Sequence, residues 1–333
     1  MWRKLPCNFF ELNLDVTLSG GQSFRWKAKN NSEWQGIFSE LVWTLKQDSK
    51  GNILYFVHHI SENETNSQSV KRMKTSNSKK GSQGKDMTMS SEKLDEMLRD
   101  YLNLHVKLED LYKVWNKCDE NFEVVSRNFK GIRILRQDPV ENLISFICSA
   151  NNNIPRITSM VEKLCRNYGK ELCKIDGQPY YSFPTLESLS RKGVEEKLRN
   201  LGFGYRAKYI NQTAKVLHEN HPPGWLETLR TVPYEDAHTA LTKLPGVGAK
   251  VADCVCLMSL DKYNAIPVDT HIWQVTVRDY LPHLKGAKTL SQKAYQEIGS
   301  FYRERFGNYA GWANTILFAA DLKKFKDGIK ATE

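Results

Sequence analysis

The segment Leu244-Pro245-Gly246-Val247-Gly248-Ala249-Lys250 constrains this chain more than any other. Helical patterning runs over 233–243 and resumes over 249–260. Between them Pro245 forbids continuation, and two glycines one residue apart permit a tight turn with positive φ. A Gly-rich turn feeding a helix N-terminus aims several backbone N–H groups in one direction and makes an anion site. Because those donors are main-chain, they suit a phosphate in any sequence context. The same glycines also suit an αα-hairpin in which they only allow close packing, and geometry alone does not choose. Beyond the turn, Val251, Ala252, Cys254, Val255, Cys256, Leu257 and Met258 leave almost no polar face, so this helix belongs to the core and Lys250 is the odd residue at its mouth.

An amine at a helix N-terminus is disfavoured in its charged form by about 0.3–1 kcal/mol, less than one pKa unit. Desolvation in a closed pocket has to supply the rest before such a lysine becomes a nucleophile able to form a Schiff base. A surface lysine reaching for phosphate is the competing reading. Nineteen residues after Lys250 comes Asp269, the N-cap of the helix start signalled by Ile266-Pro267-Val268-Asp269-Thr270-His271. Capping alone explains such an Asp, yet backbone donors also hold a carboxylate ionised, ready to stabilise positive charge nearby.

At 333 residues the chain exceeds one ordinary core, and 40% hydrophobic with 26% charged residues reads as globular. No stretch approaches the ~20 apolar residues of a bilayer span, and the N-terminus lacks a secretory apolar run. Seven irregularly spaced cysteines fit reduced thiols in the nucleus or cytosol. Forty-eight basic against 38 acidic residues give +10, which points to a polyanionic partner.

Strand patterns occupy 34–39, 41–46 and 53–57, and an antiparallel sheet is expected. Residues 61–91, polar and without an aromatic residue, read as a disordered insertion. Helical periodicity begins at Lys93, with Leu94, Leu98, Tyr101 and Leu102 on one face and Leu108, Leu111, Tyr112 and Trp115 on another. Further helices are expected over 139–150, 154–167, 204–218, 271–280, 290–305 and 309–322. The expectation is an α+β chain: a β-rich domain over 1–120, a helical region over 121–322 with its hairpin at 243–250, and a polar tail over 323–333.

The hairpin with Lys250, followed by Val268-Asp269, resembles the helix-hairpin-helix DNA glycosylase superfamily. Gly21-Gln22-Ser23-Phe24-Arg25-Trp26, Phe146-Ile147-Cys148-Ser149 with Asn151-Asn152-Asn153, Gly204-Tyr205-Arg206-Ala207 and Tyr309-Ala310-Gly311-Trp312-Ala313 resemble its eukaryotic-type 8-oxoguanine DNA glycosylase/lyase. The likeness extends from about residue 7 to 322 and excludes the 61–91 insertion. It implies an N-terminal TBP-like sheet domain and a bifunctional base excision repair enzyme. Such an enzyme flips 8-oxoguanine opposite cytosine out of duplex DNA, removes it and cuts the strand by β-elimination.

The resemblance assigns Lys250 as the amine that attacks C1′ and Asp269 as the group stabilising the cationic sugar. It places the Gly21 carbonyl opposite the N7 proton that distinguishes the lesion from guanine, and Cys254 and Phe318 on the two faces of the base. Asn151 would fill the gap beside the orphaned cytosine, Arg156 and Arg206 would read that cytosine, and Tyr205 would wedge the duplex. Gly246 and Gly248 would present phosphate donors, with His271 a further phosphate contact. Where the family carries glutamine on the Watson–Crick edge of the lesion, this chain has Asn314, one methylene shorter.

The resemblance also implies action in the nucleus, with a mitochondrial pool left open, as a monomer, away from membranes and without a catalytic metal. Relatives with an iron–sulfur cluster carry four clustered cysteines, whereas no cysteine follows Cys256 here. Two competitors remain at this stage: a glycosylase/lyase with another damaged-base preference, and a non-enzymatic hairpin module that binds DNA.

Overall fold

Alternating aromatic and β-branched residues between 34 and 58 form the centre of an antiparallel sheet. The computed structural model describes residues 2–29, 32–58, 89–286 and 289–322. The sheet has five strands in the order β1-β5-β4-β3-β2: β1 (Arg3–Leu5), β2 (Lys27–Ala28), β3 (Trp34–Phe38), β4 (Leu41–Gln47) and β5 (Ile53–His58). The three expected strands are its middle. The two edge strands, of three and two residues, are too short to carry a readable period. A short helix, α1 (Leu14–Ser19), lies between β1 and β2 and is capped by Asn13.

One side of this sheet packs on α2 (Ser91–Tyr101), and Phe38 stacks between Trp43 and Tyr101 at centroid separations of 4.4 and 4.1 Å. Most of the segment read as an insertion lies outside the described residues, but its end does not. Met89 packs on the sheet core, Ser90 caps α2 through its hydroxyl, and Ser91 is the first helical residue, so 89–91 belong to the fold.

The helical region begins with α3 (Leu108–Cys118), α4 (Glu120–Ser126), α5 (Pro139–Ile147) and α6 (Ile154–Tyr168), of which the short α4 was not among the expected helices. Leu111, expected on the buried face of α3, is only half-buried. A two-stranded hairpin then interrupts the helices, β6 (Glu171–Ile175) with β7 (Gln178–Tyr181). Its turn is Asp176-Gly177, both at positive φ, which is a strong hairpin signal in sequence. Leu172 joins Ile37 and Val42 of the sheet in a small cluster, so the hairpin braces the N-terminal domain.

The chain continues through α7 (Leu186–Ser190), α8 (Val194–Asn200), α9 (Arg206–Asn220), α10 (Trp225–Thr228), α11 (Tyr234–Thr242), α12 (Ala249–Ser259), α13 (Thr270–Asp279), α14 (Gln292–Phe306) and α15 (Ala310–Asp321). One large core unites these helices with Phe24 from the N-terminal part. The fully buried Arg133 ties the two halves by donating to the carbonyls of Glu11, Leu102, Asn103 and Val106 and to the Glu11 carboxylate at 2.9 Å. No described helix is long and apolar enough to cross a membrane.

Candidate active site and nucleic-acid interface

The hairpin forms as its residues dictate. α11 ends at Thr242 and α12 starts at Ala249 with Gly248 as its N-cap. The two glycines differ in why they are needed. Gly246 has φ +74°, and a Cβ there would fall 2.4 Å from the Tyr209 ring, so both turn and packing demand glycine. Gly248 has φ −92°, which any residue adopts, and a Cβ there would meet nothing within 4 Å. Its lack of a side chain leaves the space before the α12 N-terminus open. Thr213 of α9 fixes the turn by donating to the Pro245 carbonyl at 2.6 Å.

Lys250 lies half-buried in the first turn of α12, whose residues 251–259 are all buried. Its Nζ donates to Ser149 Oγ at 3.3 Å and stands 4.9 Å over the Phe146 ring. Both partners lie in the Phe146–Ser149 stretch, yet the sequence reading gave neither a role. Asp269 caps α13, its Oδ1 accepting from Ile272 N at 2.9 Å. Cys254, one turn after Lys250, feels both groups. Burial pushes its thiol up to about 12, Lys250 draws it down, and Asp253 and Asp269 raise it further. The structure thus brings Lys250, Cys254 and Asp269 into one electrostatic neighbourhood.

Phe318 and His271 meet edge-on across α15 and α13, 5.8 Å between ring centroids, and His271 Nδ1 lies 3.5 Å from Asp321 Oδ2. Asn314, one turn before Phe318, is 2% exposed, and its Nδ2 has no hydrogen-bond partner. Gly21 adopts φ +82°, with Ile154 of α6 at 3.0 Å from where a Cβ would stand. Gly20 has no room either, because its Cβ would fall 2.8 Å from the Val16 carbonyl oxygen.

The loop after α5 divides its three asparagines by task. Asn151 is exposed with φ +47°, Asn152 donates to the Cys148 carbonyl at 2.9 Å, and Asn153 caps α6 by accepting from Arg156 N at 3.0 Å. Arg156 is exposed in the first turn. Arg206 is not free on the surface, because it is 4% exposed and donates to the carbonyls of Ala150 and Asn151. Tyr205 is half-exposed, its hydroxyl donating to the Ala150 carbonyl at 3.2 Å while the Arg206 guanidinium lies over its ring. Among the described residues, no group of three or more His, Cys, Asp or Glu side chains is arranged to hold a metal ion.

Residues 4–143 match the family model described as 8-oxoguanine DNA glycosylase, N-terminal domain, and residues 144–299 match that of the HhH-GPD superfamily base excision DNA repair protein. Over 323 residues the chain is 39% identical to N-glycosylase/DNA lyase OGG1 of Arabidopsis thaliana, covering 96% of this chain and 80% of that one. It is 37% identical over 350 residues to an N-glycosylase/DNA lyase of Saccharomyces cerevisiae, covering 96% and 86%. The fold aligns at TM-score 0.76, with 28% identity and 96% of each chain covered, with a Clostridium acetobutylicum 8-oxoguanine glycosylase/lyase in complex with dsDNA containing cytosine opposite to 8-oxoG. With an antiparallel sheet domain, a hairpin lysine and matches over nearly its whole length, the chain belongs to the N-glycosylase/DNA lyase family of helix-hairpin-helix base excision repair enzymes.

Proposed function

We propose that this chain excises 8-oxoguanine opposite cytosine from duplex DNA and then cuts the strand at the abasic sugar through a Schiff base on Lys250. The observation that carries this reading is Lys250 at the mouth of a buried helix, its Nζ donating to Ser149 Oγ, with Asp269 capping the next helix. A DNA-binding module needs the hairpin but has no use for that pair.

The steps use side chains and solvent. The free amine of Lys250 attacks C1′, the bond from C1′ to N9 breaks, and the base leaves with its electron pair and takes up a proton. Asp269 faces the positive charge that develops on the sugar, a carboxylate already in place where charge appears. The lysine adduct opens to an imine. Loss of a proton from C2′ then expels the 3′ phosphate and cleaves the strand. Closure by the flipped nucleotide completes the desolvation of a lysine that is half-buried in the free protein.

Recognition divides among the remaining residues. Cys254 and Phe318 take the two faces of the base, and the Gly21 carbonyl accepts from the N7 proton of the lesion. Asn314 reads its Watson–Crick edge with an amide whose Nδ2 has no partner in the free protein. The open space at Gly248 lets a phosphate approach the α12 N-terminus, with His271 a further contact. Asn151, Arg156, Tyr205 and Arg206 take the orphaned cytosine and the distorted duplex, Arg206 by exchanging its carbonyl partners for base acceptors. The enzyme works as a monomer in the nucleus, without a resident metal or cluster.

Lys250→Gln tests the core of this reading. Base release and borohydride trapping should both vanish, with lesion-duplex affinity changed by less than about 10-fold because the phosphate donors are main-chain. Undiminished excision would remove lysine from the mechanism.

A further inference from the structure

Behind the hairpin lies a polar cluster to which the steps above assign no role. Asp253, three residues after Lys250 on α12, is 1% exposed. Its Oδ1 accepts from the Tyr234 hydroxyl of α11 at 2.7 Å, and its Oδ2 accepts from the Tyr295 hydroxyl of α14. His238 Nε2 stands 3.8 Å from Oδ2. The Tyr295 oxygen also accepts from Val268 N at 3.4 Å and lies 3.3 Å from the Ile266 carbonyl. A phenol has one hydrogen, and a carboxylate is the stronger acceptor, so Asp253 takes it and the oxygen remains for Val268.

One hydroxyl therefore touches two segments. Asp253 is a single helical turn from Lys250, and Val268 immediately precedes Asp269. The chain between them runs from the end of α12 through a loop, which by itself does not hold two groups to the fraction of an ångström that catalysis needs. We propose that Tyr295 is a positioning residue for excision, holding the lysine-bearing helix and the segment leading into Asp269 at a fixed separation. This rests on the roles given above to Lys250 and Asp269. Burial pushes the Asp253 carboxyl up, and Tyr295, His238, Tyr234 and Arg303 oppose it, so the anchor keeps its acceptor character only inside this cluster. Tyr234 binds the same carboxylate but has no bond to the Asp269 segment, which makes it an internal control.

The experiment is single-turnover excision by saturating full-length enzyme on duplex containing 8-oxoguanine opposite cytosine, with Kd for the same duplex. Tyr295→Phe should lower the rate constant about 10–100-fold, the cost of a displacement near 1 Å, with Kd within about 3-fold. Tyr234→Phe should stay within about 3-fold in both. With active enzyme still in saturating excess, an unfolded fraction leaves this rate constant alone, so lost stability does not imitate the effect. Should Tyr295→Phe fail to accumulate, Asp253→Ala cuts the bridge from its other end and carries the same expectation.

A parental rate for Tyr295→Phe overturns the proposal. Equal rate losses in the two phenylalanine variants, or a loss expressed wholly in Kd, overturn it as well. Lys250→Gln is run in parallel. If it still excises, the underlying reading fails; if it is inert while Tyr295→Phe is unimpaired, only the positioning role fails.

Discussion

Asn314 is an amide buried to 2% exposure with no acceptor for its Nδ2, a state that costs about 1–3 kcal/mol. In the role proposed for it, an acceptor arriving on the flipped base recovers that cost and so favours the bound lesion. Asn314→Ala should therefore slow single-turnover excision of 8-oxoguanine about 10–100-fold. Asn314→Gln inserts a methylene into a filled site and should also fall below the parent, by about 1–3 kcal/mol in transition-state binding. Equal rates for the three forms would mean that another residue reads that edge of the base. Burial raises the Cys254 thiol to about 12, so in the base-facing role proposed for it the residue would offer a neutral, polarisable sulfur.

α9 is the element that sets the Asn151 loop and the hairpin, the two parts proposed to meet DNA, relative to each other. Arg206 in its first turn grips the Asn151 loop, Tyr209 fills the space left by Gly246, and Thr213 holds the Pro245 carbonyl. The Asn151 loop and the hairpin thus share one support. Arg206→Ala should relax the preference for cytosine by about 10–100-fold, the discrimination typical of a base contact. Excision rates opposite each of the four bases measure it. A uniform fall would assign Arg206 to holding the loop and leave the cytosine to Arg156.

A cavity of about 580 Å³ lies between part of the sheet domain and the helices, with Phe38, Tyr101, Glu141, Phe183 and Trp225 in its walls. Burial pushes Glu141 up to about 7; Arg25 opposes this and Asp138 adds to it. The folded protein therefore keeps a proton that the unfolded chain, with an ordinary value near ~4.3, releases. Stability from this group is greatest at low pH, declines as pH rises from about 4.3 to about 7, and the loss is complete above that. Glu141→Gln should raise stability at pH 8 by on the order of 1–3 kcal/mol and change little at pH 4. Thermal melts at both pH values check it, and a gain confined to pH 4 would reverse the sign argued here.

Local rules reach as far as the period, the turn and the cap. The residues from 233 to 260 determine the helix, turn and helix that the structure contains, and the Pro267 to Asp269 pattern determines the start of α13 with its cap. The middle strands follow from alternation in the same way. The Asp176-Gly177 hairpin was not among the expected elements, although both residues suit the turn they make. Edge strands of two or three residues carry no period, so only pairing with β5 and β3 creates them.

Side-chain partnerships lie beyond those rules. Arg206 meets Ala150 across 56 positions and Tyr295 meets Asp253 across 42, and no spacing announces either. A carboxylate in an apolar helix reads as a misfit until three helices close around it. The chain alone placed a lysine at a helix mouth and an aspartate at a cap. Packing decided that the loop is gripped and that one phenol links their segments, because these depend on distances only the closed core sets.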